Sequence, residues 1–280
     1  MLRPRIIPCL LMRKGGLVKT VQFKDEKYVG DPINAVKIFN EKEADELILL
    51  DIDASAAGVE PNFKLIAQVA VECRMPLCYG GGIKTVDQAS RIIGLGVEKI
   101  AISSAAVEHP DLIAAIAQAI GSQSVVVVFD VSRRSIGTDY EIKTYNARTQ
   151  TGQLAADAIR RATSLGAGEI VVNSIDHDGT MKGYDLTLAR SVRGATSLPM
   201  TVLGGAGSLD DIRTLISACG VMGAAAGSLF VFKGVYRAVL INYPDPKQKD
   251  DLIRSALGSV PANDLRSGTD AGHRRSVFPT

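Results

Sequence analysis

At 280 residues and 46% hydrophobic composition, the chain can bury a large core, and its length alone allows one barrel or two smaller domains. Its 32 basic and 30 acidic residues leave a net charge of +2 and are scattered rather than bunched. That excludes a broad electrostatic surface for nucleic acid or acidic membranes, so an anionic ligand has to be held by local groups.

The opening stretch MLRPRIIPCLLMRKGG has only a short apolar run, with no small-residue cleavage site after it. No window approaches the ~20 apolar residues of a membrane span, and a cytoplasmic location is expected. Apolar runs of strand length then recur at residues 6–12, 46–52, 77–79, 99–102, 124–129, 169–174, 200–203 and 221–225. Between them lie stretches of helical period at 32–42, 61–73, 86–95, 110–119, 154–165, 186–194 and 209–218. Helix starts are signalled by Asp31-Pro32, Thr85, His109-Pro110 and Ser208.

Uniformly apolar strands alternating with helices predict a parallel sheet covered on its outer face. Two segments in the first half have copies in the second. ELILLDIDAS at residues 46–55 aligns with EIVVNSIDHD at 169–178, and residues 76–104 align with 199–228 through their prolines, glycine pairs and closing serines. Both pairs share nearly one offset, as a duplicated chain would. The expectation is an α/β fold, a (β/α)8 TIM barrel built from two repeated half-barrels. An open doubly wound sheet is the rival, but no GxGxxG opens the first strand-helix turn.

The barrel is expected over residues 1–243, with loop insertions at 13–30 and 131–150, the second containing a hairpin near 140–145. Both loops leave the C-terminal ends of strands, so each is either a lid or a tolerated insertion. Residues 244–280 are rich in proline, serine, arginine and aspartate and are expected to form a partly disordered extension.

The glycine pairs carry the strongest chemical signal. Gly81-Gly82 with Ser103-Ser104, repeated as Gly204-Gly205 with Gly227-Ser228, offers backbone N–H groups and hydroxyls without side-chain bulk, and Gly179 adds another N–H. Two such cradles suit a small-molecule substrate phosphorylated at both ends; the alternative is that the glycines only make tight turns. Asp130 directly follows the fifth strand and is either an acid-base group at the barrel mouth or a cap on the next turn. Arg5, Glu46, Lys99 and Glu169 begin four strands, so two acids and two bases meet at the opposite end, as a structural plug or a gate. His177 lies in the strand-six loop, within reach of substrate; His109 and His273 read as surface residues. The four cysteines lack CxxC spacing and read as buried reduced thiols; neither a metal nor another cofactor is expected.

The segments RIIPCL, DPINAV, DELILLDIDAS, YGGGIKT, SSAAVEHP, GAGEIVVNSIDHDGTMKGYD and GGAGSLDD resemble the cyclase subunit of imidazole glycerol phosphate synthase, from residue 3 to about 232. The resemblance implies a (β/α)8 barrel that docks a glutaminase on its N-terminal face and passes ammonia through the barrel to a bisphosphorylated substrate. It also implies that Arg5, Glu46, Lys99 and Glu169 form the ammonia gate, that Asp130 is catalytic, and that Lys19, Asp51, Gly82, Ser103, Ser104, Asp178, Gly179, Gly205, Gly227 and Ser228 bind substrate and phosphate.

Four positions depart from the pattern of the family this chain resembles, the first being Ser103, where the cyclase usually has asparagine. Asn173 and Leu203 replace small hydroxyl residues, and Leu11 stands where the family has its second catalytic aspartate. Leucine cannot transfer a proton, and losing an acid-base partner removes about 10²- to 10⁴-fold in rate. CLL for CLD, TMKGYD and INYP resemble a paralogous version of the subunit found with surface-polysaccharide gene sets. That resemblance implies service to a sugar-amidating enzyme, against the alternative of a working cyclase/lyase in histidine biosynthesis.

Overall fold

The computed structural model describes residues 3–258. Eight parallel strands form its centre: β1 (Arg5–Arg13), β2 (Leu47–Asp51), β3 (Leu77–Gly80), β4 (Lys99–Ile102), β5 (Val125–Arg133), β6 (Glu169–Ser174), β7 (Met200–Leu203) and β8 (Gly223–Ala226). Each pairs in parallel with its neighbours in chain order. β8 returns to β1 through Arg5 opposite Gly223, which closes the sheet and leaves no edge.

The outer layer is α1 (Pro32–Glu41), α2 (Phe63–Glu72), α3 (Val86–Gly94), α4 (Asp111–Ile120), α5 (Ala155–Ser164), α6 (Leu186–Ala195), α7 (Leu209–Cys219) and α8 (Pro246–Gly258). The start signals have physical content. Asp31 accepts from the Asn34 N–H ahead of Pro32, and Thr85 with Gln88 and Ser208 with Asp211 form reciprocal capping boxes at equivalent places in the two halves. His109-Pro110 differs: α4 begins at Asp111 without a side-chain cap.

Alternation along the strands divides the apolar residues into two bodies. One lies between strands and helices, around Ile6, Leu47, Ile100, Val127, Ile170 and Val202. The other fills the barrel interior with Ile7, Cys9, Ile48, Cys78, Ala101, Val126, Val128, Val171, Leu203 and Ala225, with Leu11 and Leu50 packed against it. Cys9 and Cys78 are buried free thiols in that interior, whereas Cys73 and Cys219 are only half-buried.

Both insertions are antiparallel hairpins that prolong barrel strands. Gly16–Val21 turns back on the end of β1 and pairs with Lys24–Gly30. Tyr140–Thr144 pairs with the end of β5 and with Thr149–Leu154, so this excursion runs to 154 rather than 150.

The boundary at 243 is also too early. Helix α8 buries Lys249, Leu252, Ile253 and Ala256, and the Lys249 ammonium bonds Asp45 at 2.7 Å and the Glu43 carbonyl at 2.7 Å. Residues through 258 therefore belong to the barrel's outer ring. The disorder expected for the last 20 or so residues falls outside the described residues.

Candidate functional site

At the N-terminal end of the barrel, Arg5, Glu46, Lys99 and Glu169 meet. Arg5 bonds Glu46 and reaches Glu169 at 2.7 Å, while the Lys99 ammonium lies 2.9 Å from each carboxylate. Charges alternate around a closed ring, and the Thr201 hydroxyl donates to Glu169 at 2.7 Å. Both glutamates are buried. Burial pushes the Glu169 carboxyl up, but the Arg5 hydrogen bond and charge, the Lys99 charge and the Thr201 hydroxyl outweigh it and bring the carboxyl down to about 2. Arg5, Lys99 and Glu169 are therefore all ionised at neutral pH. Thr201 carried no sequence signal as a member of it, since a strand threonine is ordinarily a packing residue.

Above the ring, the barrel interior is lined by small and branched apolar side chains. Burial raises the Cys9 thiol to about 11 and lifts Cys78 well above its ordinary value, so both are neutral. This packed apolar interior offers a charged solute no partner.

At the C-terminal end the barrel opens into a cavity. Lys19, Asp51, Gly82, Ser103, Ser104, Asp130, Asp178, Gly179, Gly205, Gly227 and Ser228 all line it. Strand alternation aims Asp130 inward from β5, two residues beyond Val128. Burial lifts the Asp130 carboxyl, a hydrogen bond from Asn173 at 2.9 Å opposes this, and the Asp178 charge adds to it; the result is about 6. Leu11 lines the same cavity from β1. Among the described residues lining this cavity, Asp130 is thus without a second carboxylate at the β1 position.

Lys19 reaches into the cavity from the first hairpin and donates to the Cys9 carbonyl at 2.5 Å. Burial lowers its pKa, and the Asp178 charge opposes this. A Cβ at Gly227 would collide with the Lys19 ammonium, so only glycine lets that lysine lie against the second-half cradle. Gly179 adopts φ +68°, where a Cβ would strike the Thr20 carbonyl; this close packing binds the β6 loop to the hairpin. The Asp178 carboxylate reinforces the contact by accepting from the Thr20 hydroxyl at 2.9 Å and the Phe23 N–H at 3.3 Å. Burial nevertheless raises its pKa.

The first-half cradle is covered differently. The tip of the second hairpin lies over it: the Tyr145 N–H donates to Ser104 Oγ at 3.2 Å and Asn146 Nδ2 to the Ile52 carbonyl at 2.7 Å. Asp51 borders the cavity, but its carboxylate caps the turn that follows, accepting from the N–H groups of Asp53 and Ala54 at 3.2 Å each.

Other candidates lie elsewhere. His177 does not line the cavity; its Nδ1 pairs with Ser174 Oγ at 3.0 Å. Asp53 is bound by Arg13 at 2.9 Å, and Asp176 accepts from the Arg133 N–H at 2.8 Å. Sequence reasoning missed Thr20, Phe23, Tyr145 and Asn146 as cavity residues. Only the insertions at 13–30 and 131–150 that carry them hinted at a place near the mouth.

The chain matches a family model described as "Histidine biosynthesis protein" over residues 5–237. A Leptospira borgpetersenii protein named provisionally as imidazole glycerol phosphate synthase subunit HisF is 57% identical over 253 residues, covering 90% of this chain and all of that one. A Vibrio vulnificus protein provisionally named subunit hisF3 is also 57% identical over 253 residues, covering 90% of this chain and 97% of its own length. One from Pseudomonas aeruginosa, provisionally subunit hisF2, is 50% identical over 250 residues, covering 89% and 99%. The chain belongs to the histidine biosynthesis protein family, as a HisF-type cyclase subunit of the paralogous kind found among the hisF2 and hisF3 proteins.

Proposed function

We propose that this barrel receives ammonia from a glutaminase docked on its N-terminal face, conducts it through its interior, and delivers it at the mouth to an enzyme that amidates a surface-polysaccharide sugar. The observation that carries this reading is Leu11. It lines the mouth from the strand opposite that of Asp130, while the ion ring at the far end keeps all four charged residues and every partner. Cyclisation of a bisphosphorylated substrate asks for proton transfer on two sides, and one carboxylate cannot serve both. Ammonia transfer asks only for an entrance and a dry, uncharged interior.

The second reading is an active cyclase/lyase converting the bisphosphorylated ribulosyl-formimino-aminoimidazole precursor to imidazole glycerol phosphate. It is favoured by the two cradles around Gly82 and Ser104 and around Gly205, Gly227 and Ser228, with Lys19 against the second. In that role Asp130, at about 6, would serve as the one proton-transfer group at neutral pH.

Ammonium-driven cyclisation of the precursor at saturating ammonium needs no glutaminase and separates the two. The expected outcome is negligible turnover by the wild type and a gain of about 10²- to 10⁴-fold in Leu11→Asp. Robust wild-type turnover that Asp130→Asn abolishes would overturn the conduit reading in favour of the second.

A further inference from the structure

The exposed large apolar side chains of this chain are not spread evenly. Of the nine among the described residues, Tyr28, Val59, Ile136, Val235, Tyr236, Val239 and Leu240 lie in loops that leave the C-terminal ends of strands; only Val71 and Val221 lie elsewhere. The densest group is the loop between β8 and α8, where a two-residue ribbon, Phe232–Lys233 with Ala238–Val239, presents Val235 and Tyr236 at its tip, each 95% exposed. A turn that served only to join strand to helix would not hold a valine and a tyrosine fully in water.

Two further observations bear on what covers it. First, the ribbon is fastened to the mouth: the Arg237 guanidinium donates to the Gly179 carbonyl at 2.8 Å, and Lys27 of the first hairpin donates to the Arg237 carbonyl at 3.2 Å. Lys27 and Arg237 also flank the Phe232 ring. Second, the charges around the tip are mostly of one sign, with Asp25 an exposed carboxylate on the same hairpin as Lys27. Lys24, Lys27, Lys233 and Arg237 form no ion pair with any carboxylate among the described residues, whereas Glu26 and Asp53 nearby are both taken up by Arg13. The surface is therefore an apolar tip beside a net-basic group, Lys27, Lys233 and Arg237, continuous with the cavity rim.

We infer that this rim is the docking surface for the ammonia-consuming enzyme, a protein partner whose contact patch is apolar at its centre and acidic around it. The inference rests on the conduit reading above and gives that reading its exit. Ammonia leaving an open mouth would be protonated and lost to water, so delivery requires the acceptor to seal the rim. Tyrosine and arginine beside small apolar groups are the residue types that dominate such contacts, and the unpaired cations complement an acidic collar.

The test reconstitutes three proteins from the source organism: this chain, its glutaminase subunit and the sugar-amidating enzyme. Wild type is compared with Val235→Asp/Tyr236→Asp and with Lys233→Glu, all at exposed positions outside the cavity. The expected result is at least tenfold slower glutamine-driven amidation and at least tenfold weaker binding of the acceptor enzyme. Glutaminase binding, and amidation driven by free ammonium, should be unchanged. Undiminished glutamine-driven amidation in the double variant would overturn the docking surface while leaving the conduit reading intact. No glutamine-driven amidation with wild type would sink the conduit reading, and this inference with it. Self-association abolished by the same changes, or binding to phosphatidylglycerol vesicles, in place of acceptor binding would assign the rim to a second copy or a membrane and overturn it equally.

Discussion

The two ends of the barrel each hold a carboxylate that burial acts on and treat it in opposite ways. At the N-terminal end Glu169 is surrounded by Arg5, Lys99 and Thr201 and falls to about 2; at the mouth Asp130 has only Asn173 to oppose burial, faces the charge of Asp178, and rises to about 6. Burial acts upward on both. The number and sign of the partners decide the outcome, so the ring is a settled structural device while the mouth carries an incompletely compensated charge. The two ends of the barrel therefore hold their carboxylates in different electrostatic states.

Removing a carboxylate from each end should break the comparison most visibly. Glu169→Leu leaves Arg5 and Lys99 sharing Glu46 alone, and uncompensated buried charge costs about 3–5 kcal/mol. Asp130→Asn takes away a carboxylate that burial disfavours, and at pH 8 it should be neutral or stabilising. Urea unfolding followed by circular dichroism, suited to a chain without tryptophan, measures both. Equal losses at the two ends would erase the distinction.

The pH dependence sharpens it, because the two groups act with opposite sign. Glu169 falls from an ordinary 4.5 to about 2, so its contribution is fully present above 4.5 and is lost as pH drops through 2. Asp130 rises from 3.8 to about 6, so its contribution is present below 3.8 and is lost as pH climbs through 6. Each window spans roughly 3 kcal/mol at 1.36 kcal/mol per pH unit. Wild type minus Glu169→Gln should change only on the acid side, and wild type minus Asp130→Asn only between about pH 4 and 6. Matching curves of one sign would show that charge partners do not separate the ends.

The same contrast runs through what the sequence disclosed. Charged residues at strand starts are rare enough to be noticed, so Arg5, Glu46, Lys99 and Glu169 stood out without any contact being known. Strand positions followed from apolar runs, and helix starts from Asp31, Thr85 and Ser208, because those signals are local. Helix α8 escaped notice because its buried stripe begins with Lys249, a residue that reads as surface until Asp45 and the Glu43 carbonyl are seen to hold it. The first hairpin escaped because its turn places Gln22 and Phe23 at φ +51° and +62°, with no glycine to announce it. The mouth was legible through its glycines and through Leu11, but not the hairpin tip over Ser104, which depends on a contact between residues 41 apart in sequence.

Asn173 provides the finest test of what sets Asp130. Its Nδ2 donates to Asp130, while its Oδ1 is buried with no partner among the described residues. A hydrogen bond to a charged group is worth about 1.5–3 kcal/mol, so in Asn173→Val the Asp130 midpoint should move above 6 by roughly 1–2 pH units. Overall stability at pH 5 should change by less than about 1 kcal/mol, since the substitution also removes the orphaned carbonyl. Thr201→Val is the counterpart at the entrance: Glu169 keeps Arg5 and Lys99 after losing the hydroxyl and should stay well below its ordinary value. Carboxyl-carbon NMR titration reads both midpoints. If Asp130 does not move, burial and Asp178 alone set its proton affinity, and Asn173 is at the mouth for what its unpartnered oxygen can accept rather than for what its amide donates.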